Sequence, residues 1–119
     1  MNLLTEEIKA RLPAIGSLDG KDPKTVPIIV KFFSPFTGWT WYVIEGSKTK
    51  DDYEFFGLVR GFEAELGYFY LSELDIKQDG IQVVERDLYF GDHTLAEALE
   101  WASNDKGTQV IKHNIEIIP

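Results

Sequence analysis

Five carboxylates, Glu63, Glu65, Glu73, Glu85 and Asp87, are the first residues in the chain whose type and spacing suggest chemistry. Carboxylates brought within a few ångströms of one another hold a hard cation such as magnesium, or divide into a general acid and a general base. On an extended chain Glu63 and Glu65 share one side, as do Glu85 and Asp87, because side chains alternate. Nothing in the spacing joins the two pairs, so solvated surface charge is the plainer reading. Lys31, set between Val30 and Phe32, is the second candidate. A desolvated lysine serves as a base or nucleophile; a structural ion pair, or a head group reaching solvent, is the simpler role. Arg86 sits between two acids and points to the opposite face. There it is placed to bind an acid of another strand in a bidentate pair that fixes the fold, or to clamp a substrate carboxylate or phosphate.

The aromatics are the closest contest. Trp39 and Trp41 share one strand face, with Phe36, Tyr42, Tyr68 and Tyr70 nearby in type, and such a row is either core or a stacking platform and partner hot spot. His93 precedes a helix start and His113 lies in the last stretch, too far apart to make a zinc site by themselves. The segment GFEAELG lacks the lysine and spacing of a phosphate loop. No serine sits in a nucleophile elbow, and Ser72 is better placed to cap a helical turn. With no cysteine, disulfides, thiolate catalysis and Cys-ligated zinc are excluded together. No metal and no cofactor are expected.

At 119 residues the chain is read as one domain, 1–119, and with 44% hydrophobic and 13% aromatic residues it has enough apolar surface to build a core. Twelve basic residues against 20 acidic ones leave a formal charge of −8. Such a surface repels phosphate backbones and anionic lipid, so direct nucleic-acid binding is disfavoured and basic partners or cations are favoured. Glu6 and Glu7 stand where a signal peptide needs its apolar segment, and no apolar run approaches the roughly 20 residues of a membrane span. A cytoplasmic protein, monomer or homodimer, is the expectation.

The elements that must position these residues follow from periodicity. Thr5 caps a first helix carrying Leu4, Ile8 and Leu12 on one face, and Pro13 ends it. Strands are expected over 27–33, 39–45, 53–60, about 65–70 and 81–86, with a loop over 46–52 and a turn at Gln78, Asp79 and Gly80. Thr94 and Glu97 form a capping box ahead of Leu95, Ala98, Leu99 and Ala102, the buried face of a helix ending near Asn104. Residues 108–118 read as a terminal strand. The sum is an α+β fold, a mostly antiparallel sheet of five to six strands with an N-terminal and a C-terminal helix, the helices expected on one face.

Three segments, KFFSPFTGWTWY, FFGLVRGFEAELGYFYLSEL and ERDLYF, occur in an order that resembles a small bacterial family of domains of unknown function carried on plasmids and other mobile elements. The likeness spans Leu3 to Phe90. It implies a bacterial cytoplasmic protein whose genes travel with antirestriction or plasmid-maintenance genes, and it brings no activity and no catalytic residue with it. The functional expectation is a non-enzymatic accessory protein that binds another protein through an acidic and aromatic surface. A nucleic-acid-handling enzyme of a mobile element is the candidate target. The alternative is a small metal-dependent or acid/base enzyme that uses Glu63, Glu65, Glu85 and Asp87, with Lys31 or Arg86 stabilising negative charge. A third possibility is a scaffold that dimerises by pairing its last strand.

Overall fold

The aromatic and β-branched runs pair as a meander: β1 (Val30–Phe33), β2 (Thr40–Lys48), β3 (Tyr53–Arg60) and β4 (Ala64–Tyr70), each antiparallel to the next. The structure is a computed structural model that describes residues 1–105 and 110–111. Two short strands complete the sheet: Glu85–Arg86 against β1, and Val110–Ile111 parallel to β4. α1 (Glu6–Arg11) precedes the meander, and after it come α2 (Leu71–Leu74), a separate two-strand ribbon, β5 (Lys77–Gln78) with β6 (Ile81–Gln82), and α3 (Leu95–Asn104). Numbering Glu85–Arg86 as β7 and Val110–Ile111 as β8, the sheet order is β7-β1-β2-β3-β4-β8. This is the α+β fold expected, with five antiparallel strands and a helix near each end of the chain.

The helices do not share a face. Val30, Phe32, Val43, Phe55 and Phe69 meet Leu3, Leu4, Ile8 and Leu74 on one side of the sheet. Tyr42, Ile44, Phe56, Leu58 and Leu66 meet Leu95, Ala98 and Ala102 on the other. Because both sets alternate along the same strands, an apolar residue was available at nearly every position, and the central strands could be buried twice. α1 and α2 therefore cover one side and α3 the other.

Strand β2 runs through Gly46–Lys48, farther than the polar sequence there predicts. A bulge between Val43 and Glu45 re-registers the strand so that these residues pair with Tyr53–Phe55, and only Thr49–Asp52 is left to turn. The bulge also turns Glu45 inward. At 2% exposure its carboxylate accepts the amides of Gly16 (3.0 Å) and Leu18 (2.8 Å). Ser47 Oγ accepts that of Ile15 at 2.9 Å, so the aperiodic stretch after Pro13 is stitched to β2 rather than left loose. Buried backbone N–H groups need such partners, and removing one typically costs about 1–3 kcal/mol.

Two other strand readings change. Residues 27–28 switch partner: Pro27 bridges to Thr94 and the Ile28 amide donates to the His93 carbonyl, while the Ile29 amide already donates to Val43 of β2 and β1 proper begins at Val30. The expected strand 81–86 splits, because Asp79 (φ 53°) and Gly80 (φ 78°) make a tight hairpin turn for β5–β6, while buried Val84 carries the chain down to the edge of β1. The terminal strand is present at Val110–Ile111; the rest of that reading, His113 included, lies outside the described residues.

Gly57 of β3 and Gly67 of β4 face each other but differ in what surrounds them. A Cβ on Gly57 would lie 1.9 Å from the backbone oxygen of Tyr42, whereas one on Gly67 meets nothing within 4 Å. Gly57→Ala should therefore destabilise the protein by about 3 kcal/mol or more, since backbone cannot step aside. Gly67→Ala should be neutral or stabilise by about 0.4–1 kcal/mol. Urea unfolding of the two variants checks the contrast; equal effects would contradict the close approach of β2 and β3.

Candidate functional site

Cross-strand register places the candidate residues in two rows. Arg86, Phe32, Trp41, Val59 and Glu65 lie opposite one another across five strands, on the side covered by α1. The next row, Glu85, Phe33, Thr40, Arg60 and Ala64, faces α3. Glu65 and Glu85 are thus on opposite faces and four inter-strand steps of about 4.8 Å apart, about 19 Å in all. The two acid pairs do not converge, and among the described residues no three His, Asp or Glu side chains gather as a metal-binding group.

At the β7 edge the remaining candidates are mostly engaged with the protein itself. Lys31 Nζ pairs with Asp87 at 3.2 Å, with the Phe33, Tyr42 and Phe90 rings 5.5–6.0 Å away, so it takes the structural role. Among the described residues Arg86 pairs with no acid of another strand. Its Nη1 donates to the carbonyls of Asn2 and Leu3 and ties the N-terminus to the sheet. These groups line a cleft of about 500 Å³ between α1 and residues 86–92, with Glu7, Arg11 and Asp92 also on its walls. Charges of both signs alternate there. A second recess of similar volume sets Lys9, Lys48 and Lys50 against Asp51, Asp52 and Asp75.

The other four candidates are brought together. The β1–β2 and β3–β4 turns lie at the same end of the sheet, where Phe62 is exposed beside the half-buried Trp39 and Trp41, the latter packed on the α1-side core. Gly61 makes this possible: a Cβ there would stand 2.5 Å from the Trp39 ring, so only glycine lets the indole lie on the backbone. Phe62, 88% exposed, meets Trp39 edge-on at 84° with centroids 5.6 Å apart, and the Trp41 ring lies 6.2 Å from that of Trp39. Glu63 and Glu65, with Val59 and Gly61, close the rest of a recess of about 160 Å³ beside Trp39 and Phe62. Phe36, 66% exposed, stands on the neighbouring turn. Phe62 was not singled out from the sequence, although its place in a three-residue turn after a complete strand was the available signal.

Two expectations about polar side chains need correction or extension. Ser72 caps nothing: α2 begins after Tyr70, whose amide is held by Glu73 at 2.8 Å, and the Ser72 hydroxyl instead donates to Asp52. That bond, before any other cause, holds the Asp52 carboxyl below its usual value. The Thr94–Glu97 capping box is present, with the Glu97 amide 3.3 Å from Thr94 Oγ1 and the Thr94 amide 3.1 Å from Glu97 Oε1. His93 does more than turn the chain. Its Nδ1 lies 3.1 Å from Glu97 Oε2 and its ring packs on Phe90 and Trp101, and that hydrogen bond is the leading cause of a lowered Glu97 pKa.

A family described as proteins of unknown function (DUF2958) matches residues 3–109, and the chain belongs to it. No curated protein and no solved structure matches the chain. Among the described residues no helix is long and apolar enough to cross a membrane.

The lowered Glu97 pKa has a definite sign. A carboxyl depressed in the folded state contributes stability above its unfolded pKa and loses it as pH falls through the folded value. Glu97→Gln should therefore melt below the parent protein at pH 7, and the gap should close as acid protonates Glu97 in the folded state. Thermal unfolding across pH checks this; a gap independent of pH would contradict the His93–Glu97 contact as its source.

Proposed function

We propose that this protein is a binding module that docks a basic segment of a protein partner on the turn end of its sheet, through Trp39, Trp41, Phe62, Glu63 and Glu65. The observation that carries the reading is Phe62, a large apolar side chain left 88% exposed and braced edge-on against Trp39, next to two carboxylates. An exposed ring braced on half-buried ones is a usual anchor of protein interfaces, where rings supply contact area at little conformational cost. The net charge of −8 adds long-range attraction for a basic surface and repulsion of acidic ones.

A nucleic-acid-handling enzyme of a mobile element has the chemistry this surface complements, since its phosphate-binding groove is basic. On this reading the module acts by occupying a groove rather than by turning over a substrate. The enzymatic alternative required Glu63 and Glu65 to meet Glu85 and Asp87, and the sheet holds the two pairs apart.

The test is a titration of the isotope-labelled protein with a lysine- and arginine-rich nonapeptide, with a glutamate-rich peptide as control. Amide and indole shifts should cluster at Trp39, Trp41, Phe62, Glu63 and Glu65. Affinity should fall about tenfold or more between about 50 and 500 mM salt. Phe62→Ala should weaken binding about tenfold, about 1.4 kcal/mol, without lowering the melting temperature. Shifts spread evenly over the acidic surface, or binding indifferent to salt, would contradict the proposal.

A further inference from the structure

The cleft between α1 and residues 86–92 has a volume of about 500 Å³, inside the roughly 300–1,000 Å³ of small-molecule sites. Several of its charged groups are already engaged, Lys31 with Asp87 and Arg86 with the carbonyls of Asn2 and Leu3. Glu7, Arg11 and Asp92 are not: none of them forms an ion pair among the described residues. Glu7 and Arg11 are four residues apart on α1, acid before base, which is the order and spacing that ordinarily closes an ion pair on a helix. Beside them Glu6 and Lys9 do close theirs, at 3.3 Å. Glu7 and Arg11 instead stay apart and both border the cleft, where Ile8, Leu88 and Phe90 supply apolar lining.

We infer that this cleft binds a zwitterionic dipeptide with apolar side chains, its ammonium on Glu7, its carboxylate on Arg11 and its side chains against Ile8, Leu88 and Phe90. The length of the ligand follows from the helix. Four residues rise about 6 Å along α1 and two extended residues span about 7 Å, so the charged ends of a dipeptide reach both groups. Those of a single amino acid, held on one carbon, do not. A ligand with both charges also suits the electrostatics. A protein of net charge −8 repels an anion and attracts a cation without regard to place, whereas a neutral zwitterion is selected only where opposite charges stand at the right separation. Asp92, on the facing wall, borders the Arg11 end, because both residues also line the adjoining recess of about 250 Å³. A guanidinium with five donors serves two carboxylates, so Asp92 orients Arg11 while Arg11 holds the ligand.

Titration of the isotope-labelled protein with leucyl-leucine, N-acetyl-leucyl-leucine and leucyl-leucine amide tests this separately from the turn end. The free dipeptide should shift the methyl signals of Ile8 and Leu88 and leave the Trp39 indole unmoved. Acetylation removes the ammonium and amidation the carboxylate, and each should weaken binding about tenfold. In Glu7→Gln the penalty for acetylation should vanish while that for amidation stays, and in Arg11→Gln the reverse should hold. Both residues are exposed, and circular dichroism checks that the variants keep their fold; if one does not, the three ligands on the parent protein decide alone. Ile8 and Leu88 signals that leucyl-leucine leaves unmoved, three ligands of equal affinity, or penalties that persist in both folded variants would overturn the inference. None of these outcomes touches the docking surface proposed above.

Discussion

At Gly57 strands β2 and β3 approach so closely that one methyl group would collide with the Tyr42 carbonyl, and the rest of the architecture is built around that contact. With β2 and β3 locked together at the centre, the bulge that follows sends Ile44 and Glu45 to the α3 side and shifts the ladder so that β2 continues to Lys48. The bulge gives Glu45 its buried position, and Glu45 in turn holds the loop after Pro13 against the sheet.

Burial of both sheet faces decides where function can reside. α1, α2 and the N-terminal residues take one face and α3 the other, so neither face is open along its whole length. Two of the accessible regions carry the residues singled out from the sequence, the β7 edge and the turn end. The edge is occupied by internal pairs, Lys31 with Asp87 and Arg86 with two carbonyls, and these stabilise the fold more plainly than they serve a ligand. At the turn end, large apolar rings stand in solvent beside carboxylates, an arrangement that adds little to folding, because exposed rings bury little area.

Much of the fold was legible because the signals were local. The Thr5 and Thr94 caps, the Asp79–Gly80 turn and the run 53–60 all rest on residues near in sequence, and all appear as read. The misreadings came from partners distant in the chain. Gly46–Lys48 resembles a loop until the bulge pairs it with β3, Ser72 resembles a cap until Asp52 arrives from another turn, and residues 81–86 resemble one strand until β1 recruits only the last two. The site divides in the same way. Trp39, Trp41, Glu63 and Glu65 could be named as types, but their meeting depends on two hairpin turns lying side by side and on Gly61 making room for an indole.

The most direct measurement of the central claim is site-specific photocrosslinking in the native cells, with benzoylphenylalanine in place of Phe62 or, as a control equally open to solvent, in place of Tyr89, which is 94% exposed. A surface that docks a protein at the turn end should give one salt-sensitive crosslinked product from position 62 and none of the same product from position 89. The same product from both positions, or one from position 89 alone, would contradict the account.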